Sequence, residues 1–385
     1  DQSHLPVVQQ YEAAGHAVRA VYSYSGMADV AVETHDRDYH GAVRSLWDNI
    51  VNKKYYLTGG VGSGETSEGF GPNYSLRQNA YCESCSSCGL IFFQYKMNMA
   101  YHEAKYADLY EETIYNALLG SVDLEGKNFY YQNPLDSGPP RYPWHTCPCC
   151  VGNIPRTLLM LPTWMYAKSA DSVFVNLFIG SAATVEGVAG TDVEMVQATD
   201  YPWGDGKVAI TVNPKQARTF SVRIRVPNRS VSSLYKSAPA ADGIASLAVN
   251  GAAVRPAIEK GYAVLTRAWK TGDRIELVLP LKVQRVHAIG EVGLDYWLAK
   301  EDEERAVQRE VLRRFIALGG EAGSTLPARM AAVDSPSELR TAAGSFHTLV
   351  ISHGDFSQRM EEYVAWRESQ GYRVRTARWC RRWGK

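Results

Sequence analysis

The sequence predicts an α + β multidomain protein in which a bundle of helical hairpins precedes an antiparallel β-sandwich. Up to about residue 168 the apolar residues recur with the period of amphipathic helices. From about residue 169 to 287 they alternate with polar residues in short runs, as in strands with one buried face. The 385 residues, 45% of them hydrophobic, suffice for two or three domains of ordinary size.

The helical part is predicted to hold paired helices joined by long loops. A first helix is predicted from Val7 to about Glu33, and a second in "HDRDYHGAVRSLWDNIVNKKYY", where Asp36 is a candidate N-cap. Two further helices, 79–104 and 106–119, follow with almost no connecting loop. Glycine and proline concentrate in two loops, "LTGGVGSGETSEGFGPNYS" and "VDLEGKNFYYQNPLDSGPPRYPWHTCPCC". Long loops on one side of a helical scaffold are a plausible enzyme layout.

Six runs predict the strands of the sandwich: "SVFVNLFIG", "KVAITVN", "TFSVRIRVP", "SLAVNG", "YAVLTRAW" and "DRIELVLPL". After about residue 288 the pattern changes. "LAKEDEERAVQREVLRRFIALGG" predicts a charged amphipathic helix, and "FHTLVISHGDFSQRMEEYVAWRESQGYRVRTA" predicts strand, helix and strand. Residues 288–385 are therefore expected to form an α/β tail with no domain assignment.

Charge and hydropathy narrow the classes of function. The chain has 41 basic and 41 acidic residues, which gives no electrostatic footprint for nucleic acid. No apolar stretch approaches the ~20 residues that span a bilayer. We therefore expect small-molecule chemistry, without nucleic-acid or membrane partners. The chain begins with neither methionine nor the basic-then-apolar order of a signal peptide, so a cytoplasmic location is expected.

Six of the seven cysteines fall in two short clusters, within "NAYCESCSSCG" and "YPWHTCPCCVGNIPR". They are Cys82, Cys85, Cys88, Cys147, Cys149 and Cys150. Such spacings bring several thiolates to one point, as a tetrahedral metal requires, whereas a disulfide scaffold spreads its cysteines along the chain. Glu83 lies inside the first cluster, and zinc accepts a carboxylate more readily than an iron–sulfur cluster does. A closed structural zinc site remains an alternative, and an iron–sulfur cluster a weaker one.

A neighbouring loop, "GSGETSEGFG", holds Glu65 and Glu68 among glycines that allow the backbone to approach a ligand closely. Together with it, the motifs "GHAVRAVYSYSGMADVA", "YYLTGGVGS", "YCESC", "FYYQNPL", "HTCPCCVGNIPR" and "VNLFIGS" occur in an order that closely resembles glycoside hydrolase family 127, the β-L-arabinofuranosidases. The resemblance covers roughly residues 2–286. The family fold that it implies is an (α/α)6 six-hairpin barrel followed by β-sandwich domains.

Only about half of the helices of such a barrel can be counted before the strands begin, so a partial barrel that lacks its front is expected. From about residue 288 the match stops, and the tail faintly resembles the front of gingipain-like cysteine peptidases. The expected domains are thus a partial catalytic barrel over 1–168, a sandwich over 169–287 and the tail. The exposed helical edge of a partial barrel predicts self-association, and so a homo-oligomer.

The resemblance implies a retaining glycosidase whose nucleophile is a zinc-bound cysteine. Carried over residue by residue, the zinc ligands are Glu83, Cys85, Cys149 and Cys150, and Cys149 is the nucleophile. The acid/base glutamate falls on Glu68, next to Ser67, which replaces a glycine of the family.

Three further residues are substrate-binding candidates. His16 belongs to the G-H-A-V-R motif, Tyr131 precedes N-P-L, and His145 stands just before the second thiol cluster. For His16 and Tyr131, ordinary packing or capping is the alternative.

Three hypotheses follow. The first is a glycosidase that uses zinc and acts on β-linked L-arabinofuranose in a carbohydrate substrate. The second is an inactive zinc-stabilised fragment, or a carbohydrate-binding remnant of such an enzyme. The third is a cysteine peptidase that pairs His145 with Cys149, which the metal-like spacing of the thiols disfavours.

Overall fold

The computed structural model describes residues 2–64, 68–77, 79–135 and 140–288. Within these ranges the α-helices are α1 Ala17–Thr34, α2 Arg37–Lys53, α3 Ser84–Tyr101, α4 Ala104–Thr113 and α5 Cys149–Met160. A π-helical turn, Ile114–Leu118, continues α4. No helix in the described ranges has both the length and the apolar character needed to cross a membrane. The helix and strands predicted after His287 lie outside the described residues.

The second predicted helix is confirmed, whereas the first is wrong over its initial third. Asp36 caps α2, because its carboxylate accepts the main-chain N–H groups of Asp38 (2.8 Å) and Tyr39 (3.3 Å). Between residues 7 and 16 only a 3-10 turn forms. The chain turns at Gly15, with φ of 72°, and His16 then adopts the extended conformation of an N-cap. The helix therefore starts at the residue after His16.

Helices α1, α2 and α3 bury their apolar faces in one core that includes Val21, Leu46 and Phe93. Helix α3 is buried on almost all sides, and at Gly89 it approaches α1 closely. A Cβ atom at Gly89 would lie 2.6 Å from Cγ2 of Val21. A side chain there would push α1 away from α3, the helix that carries Cys85 and Cys88 of the first thiol cluster.

Thirteen strands follow the helices in the described part of the chain. They are β1 Tyr166–Lys168, β2 Ser172–Val175, β3 Ser181–Val188, β4 Thr191–Thr199, β5 Lys207–Pro214, β6 Arg218–Arg225, β7 Tyr235–Ala238, β8 Ser246–Val249, β9 Ala252–Ala253, β10 Ile258–Glu259, β11 Tyr262–Trp269, β12 Asp273–Val278 and β13 Arg285–Ala288. All six predicted runs contain a strand, whereas the two long strands β3 and β4 and the shorter β1, β7, β9, β10 and β13 were not predicted.

Two sheets carry most of these strands, in the orders β1-β2-β6-β11-β10 and β3-β4-β5-β12-β8-β9. Pairing is antiparallel except between β2 and β6. Alternate residues of both sheets enter one shared core, for example Val222 of β6, Ile210 of β5 and Ile275 of β12. The mixed α + β architecture that the sequence predicts is therefore confirmed.

The helices pack against the five-stranded sheet through buried polar contacts. Asn98 of α3 donates to the hydroxyl of Tyr262 on β11 (2.9 Å), and that hydroxyl donates to Asn176 (2.7 Å). Arg225 of β6 donates to Asp108 of α4 (2.6 Å). These contacts fix α3 and α4 relative to the sheet, and α3 carries part of the candidate site.

Candidate active site

Two helix N-termini meet at the candidate site. Glu83 is the N-cap residue of α3 and Cys85 lies in its first turn, while Cys149 and Cys150 are the first two residues of α5. The sequence-based assignment of these two cysteines to a loop is therefore wrong. The exposed N–H groups of a helix N-terminus carry a partial positive charge, which favours thiolates and carboxylates there. Both ends consequently favour an anionic cluster.

The four predicted ligand atoms lie within 4.8 Å of one another. Oε1 of Glu83 is 3.7 Å from Sγ of Cys149 and 3.6 Å from Sγ of Cys150. The sulfurs of Cys149 and Cys150 are 3.9 Å apart, and those of Cys85 and Cys150 are 3.2 Å apart. All three thiols are free, and each separation is far above the ~2.05 Å of a disulfide.

These separations agree with a tetrahedral zinc site. Zinc bonds of ~2.3 Å to sulfur and ~2.1 Å to oxygen place two sulfur ligands about 3.8 Å apart, and sulfur and oxygen ligands about 3.6 Å apart. Of these four separations, that between Cys85 and Cys150 is shorter than this geometry requires. Glu83 is 3% exposed, and its Oε2 has no hydrogen-bond partner among the described residues. A buried carboxylate with an unsatisfied oxygen beside three sulfurs is suited to a cation.

The pKa shifts of Glu83 and the three thiols also favour a cation at this position. Burial, together with the charge of Glu68, raises the pKa of the Glu83 carboxyl. Burial raises the pKa of the Cys149 thiol to about 12. The neighbouring Cys150 thiol lowers the pKa of Cys85, and the side-chain amide of Asn153 contributes to this lowering. One carboxylate and three thiolates would not ionise together in so small a volume unless a cation compensated their charge.

Glu68 faces this cluster from the adjoining loop. Its Oε2 lies 2.7 Å from Nε2 of His16, and its Oε1 accepts the hydroxyl of Tyr81 (2.9 Å) and, more weakly, that of Tyr131 (3.5 Å). Nδ1 of His16 accepts the main-chain N–H of Arg19 (3.4 Å), so the ring proton of the neutral tautomer is on Nε2 and is donated to Glu68.

The same contacts set the ionisation of Glu68. Partial burial acts to raise its pKa, but the hydrogen bonds from Tyr81 and His16 outweigh burial, and the pKa of the Glu68 carboxyl is lowered. The carboxylate is therefore held ionised by hydrogen-bond donors on both oxygens. This state can accept a proton.

Main-chain pairing between loops places Glu68 and Tyr131 at the site. The N–H of Ala17 donates to the carbonyl of Glu68 (2.9 Å), which aligns the glutamate with the start of α1. The N–H of Ser84 donates to the carbonyl of Tyr131 (2.9 Å), which brings the tyrosine to the start of α3. The Tyr131 hydroxyl also acts to lower the pKa of the Cys149 thiol, so it is near that thiol as well as Glu68.

His145 lies at the edge of the site. Its ring packs edge-on against Tyr131, with 5.7 Å between ring centroids, and its Nε2 is 3.1 Å from the carbonyl oxygen of Phe129. Neither ring nitrogen of His145 has a hydrogen bond to a thiol among the described residues, so the pairing with Cys149 that a cysteine peptidase needs is not formed. Cys147 is exposed, 3.8 Å from the sulfur of Cys149.

Two residues of the site had no part in the sequence-based interpretation. Tyr81 donates to Glu68, and Asn153 donates from Nδ2 to Sγ of Cys85 (2.9 Å). A signal existed for Asn153, because it lies four residues after Cys149 and therefore on the same face of α5. For Tyr81, the only indication in the sequence of a place in the site was its position immediately before the first thiol cluster.

Family models match most of the described chain. The catalytic domain of β-L-arabinofuranosidase, glycoside hydrolase family 127 (GH127), matches residues 1–163, and the GH127 middle domain matches residues 172–281. A model of TatD related DNase matches residues 234–340, which overlap the second of these and extend beyond the described residues.

Individual proteins agree with the first two models. A non-reducing end β-L-arabinofuranosidase of Bifidobacterium longum subsp. longum is 31% identical over 299 residues, which are 73% of this chain and 43% of that enzyme. A solved GH127 β-arabinofuranosidase is 40% identical, with a TM-score of 0.72 over 76% of this chain and 47% of the other. A GH127 β-L-arabinofuranosidase of Geobacillus stearothermophilus T6 is 35% identical, with a TM-score of 0.69 over 76% and 46%. The chain thus spans about half the length of these relatives.

Proposed function

This chain belongs to glycoside hydrolase family 127, and we propose that it is a retaining glycosidase that cleaves β-L-arabinofuranosyl linkages. The observation that carries the proposal is the position of Glu68, held by His16 and Tyr81 beside a cluster of one carboxylate and three thiols. The names of its relatives supply the sugar and the linkage. The finer fold also belongs to this proposal: a partial (α/α)6 barrel over 1–168 and a β-sandwich over 169–287.

The four clustered side chains are the proposed zinc ligands: Glu83, Cys85, Cys149 and Cys150. Their separations and the unsatisfied oxygen of Glu83 support this assignment. Zinc, when bound, keeps its thiol ligands deprotonated at neutral pH.

Cys149 is the proposed nucleophile because it is the ligand that substrate can reach. Cys85 and Cys150 are 1% and 0% exposed, whereas Cys149 is partly exposed. In the first step the Cys149 sulfur would form a bond to the anomeric carbon while the bond from that carbon to the leaving oxygen breaks. Water would then form a bond to the same carbon, and the carbon–sulfur bond would break, so that two inversions retain the configuration.

Glu68 is the proposed acid/base. It would give a proton to the leaving oxygen in the first step and take one from water in the second. The lowered pKa of the Glu68 carboxyl suits the second role. The first role needs a protonated carboxyl, and the negative charge of Glu83 and the thiolates on the facing side favours that form. The OH groups of Tyr81 and Tyr131, with His16 and His145, would then bind sugar hydroxyls or hold Glu68 in place.

The second candidate function is an inactive zinc-stabilised fragment or carbohydrate-binding remnant. It is favoured by one observation, that this chain covers 43–47% of the relatives with an assigned arabinofuranosidase activity. In this case the same four residues would hold zinc without turnover.

Zinc analysis and an assay with an aryl β-L-arabinofuranoside, applied to the full chain, separate the two candidates. The expected result is one zinc per chain, turnover with retention, and loss of turnover in Glu68→Gln with zinc still bound. Glu125→Gln is the matched control, since Glu125 is an exposed glutamate paired only with Lys127 on the surface (3.0 Å). Stoichiometric zinc without turnover would establish the remnant, and absence of zinc would refute both.

A further inference from the structure

Asn153 connects the two helices that carry the thiols. It lies three and four residues after Cys150 and Cys149, so its side chain leaves α5 between the directions of the two cysteines. From there Nδ2 reaches Sγ of Cys85 on α3, at 2.9 Å. Asn153 is thus in direct contact with a proposed ligand from the other helix.

The chemistry of the contact fixes its direction. A thiolate can only accept hydrogen bonds, so the amide N–H₂ of Asn153 must face the sulfur rather than the amide oxygen. Cys85 is 1% exposed, so water cannot readily supply such a donor instead. An N–H···S bond favours the anionic sulfur over the thiol and draws electron density away from it.

We propose that Asn153 is a positioning residue of the metal centre, whose N–H···S bond orients Sγ of Cys85 as a ligand and tunes the donor strength of that sulfur. This inference rests on the proposed zinc site. The bond is made to a buried ligand, whereas Cys149 is partly exposed. The buried half of the centre is thereby fixed by the protein, while Cys149 remains the thiolate open to substrate.

A purely structural role, in which Asn153 only ties α5 to α3, predicts a different result. Loss of a helix–helix tie would weaken metal binding without changing the electronic state of the sulfur ligands. Tyr22→Phe is the matched control, because the Tyr22 hydroxyl accepts from Arg156 of α5 (2.8 Å) and ties that helix to α1 without touching Sγ of Cys85.

The experiment compares the parent chain with Asn153→Ala, Asn153→Asp and Tyr22→Phe. Zinc affinity is measured by competition with a chromogenic chelator, and the sulfur ligands are read from the thiolate-to-metal charge-transfer band of the cobalt(II) form. We expect zinc affinity to fall about 10- to 100-fold in both Asn153 variants, as for other residues that support metal ligands. The charge-transfer band should move to longer wavelength, because a sulfur without its N–H donor is easier to oxidise.

The outcomes distinguish failure of the proposed zinc site from failure of the proposed role of Asn153. Parent chain that binds neither zinc nor cobalt would refute the metal centre, and this inference with it. Parent chain that binds both, with Asn153 variants of unchanged affinity or with an unmoved band, would overturn the role of Asn153 alone. A band shift in Tyr22→Phe equal to that in Asn153→Ala would also overturn it.

Discussion

Replacing Arg225 with methionine tests whether the helices that carry the candidate site depend on the sheet behind them. The Arg225 side chain on β6 is completely buried. It donates to Asp108 (2.6 Å) and to Glu111 on α4, and to the carbonyl of Asn176 (2.5 Å). Helix α4 follows α3 with almost no connection, so this ion group also holds α3, which bears Glu83.

The structure gives the size of the effect. Methionine would fill much of the volume but would leave two carboxylates, 3% and 1% exposed, without their main cation. Removing one partner of a buried ion pair costs about 3–5 kcal/mol. Arg229, whose guanidinium lies 3.4 Å from Glu111, would retain part of the compensation. We therefore expect a loss of about 3 kcal/mol in the free energy of unfolding.

Urea unfolding followed by tryptophan fluorescence measures this loss. The matched control is Arg223→Met, two residues away on the same strand, because Arg223 pairs with the exposed Glu259 (2.8 Å). A surface pair of this kind contributes at most about 1 kcal/mol. Equal urea midpoints for the two variants would refute the reasoning.

The loss should also depend on pH. Burial raises the pKa of Asp108 to about 6 even beside Arg225, above the ~3.9 of an unfolded chain. A group that binds its proton more tightly when folded destabilises the native state as pH rises through this range. Removing Arg225 takes away a charge that lowers this pKa, so Arg225→Met should lose more stability at pH 8 than at pH 5. A deficit that is equal at both values would contradict this assignment.

Three further predictions concern the site. Gly64→Ala should lower both the melting temperature and the activity, because φ at Gly64 is +79° and the new Cβ would lie 2.6 Å from Cβ of Tyr81. Gly126→Ala is the control: φ at Gly126 is +70° but no atom lies near its new Cβ, so it should cost only the backbone strain of about 1–2 kcal/mol. Tyr81→Phe removes the hydrogen bond from the Tyr81 hydroxyl to the charged carboxylate of Glu68, which is worth about 1.5–3 kcal/mol. We therefore expect kcat/KM to fall about 10- to 100-fold while the zinc content stays unchanged. An unchanged kcat/KM would exclude a role for the hydroxyl. A sugar-shaped electrophile, such as an arabinofuranosyl haloacetamide, should label Cys149 before the buried Cys85 and Cys150, as read by peptide mapping. Equal labelling of all three thiols would show that Cys149 is a structural ligand.

Local signals in the sequence were sufficient where the structure depends on local contacts. The Asp36 cap and the apolar face behind it predicted the start of α2, since both act within one or two turns. The first helix failed because apolar residues continue through 7–16, whereas the break at Gly15 depends on pairing with the distant segment 68–70. Strands β3 and β4 were missed for a similar reason. The turn of their hairpin lies at Ala189 and Gly190, with φ of 48° and 77°. This turn does not contain the Asn-Gly pair from which such turns are usually predicted.

For the site, spacing and family motifs selected residues that the structure brings together: Glu83, Cys85, Cys149 and Cys150. Residue type alone could not select Tyr81 or Asn153. A tyrosine or an asparagine has many ordinary places in a protein, and both of these gain meaning only from an atom on another segment, 2.9 Å away in each case. Such contacts are set by how α3, α5 and the loops pack.

The sequence also could not distinguish Cys149 from Cys150, two adjacent residues of the same type. In an α-helix successive side chains point about 100° apart, so Cys149 and Cys150 leave α5 in different directions although both sulfurs lie near Oε1 of Glu83. Cys150 is directed into the interface with α3, where it is fully buried beside Cys85, and Cys149 leaves the helix in another direction and is partly exposed. The start of α5 at Cys149 therefore supports the two proposed roles, with Cys150 as a buried ligand and Cys149 as the nucleophile. A loop at this position would have left both thiols free to take either place.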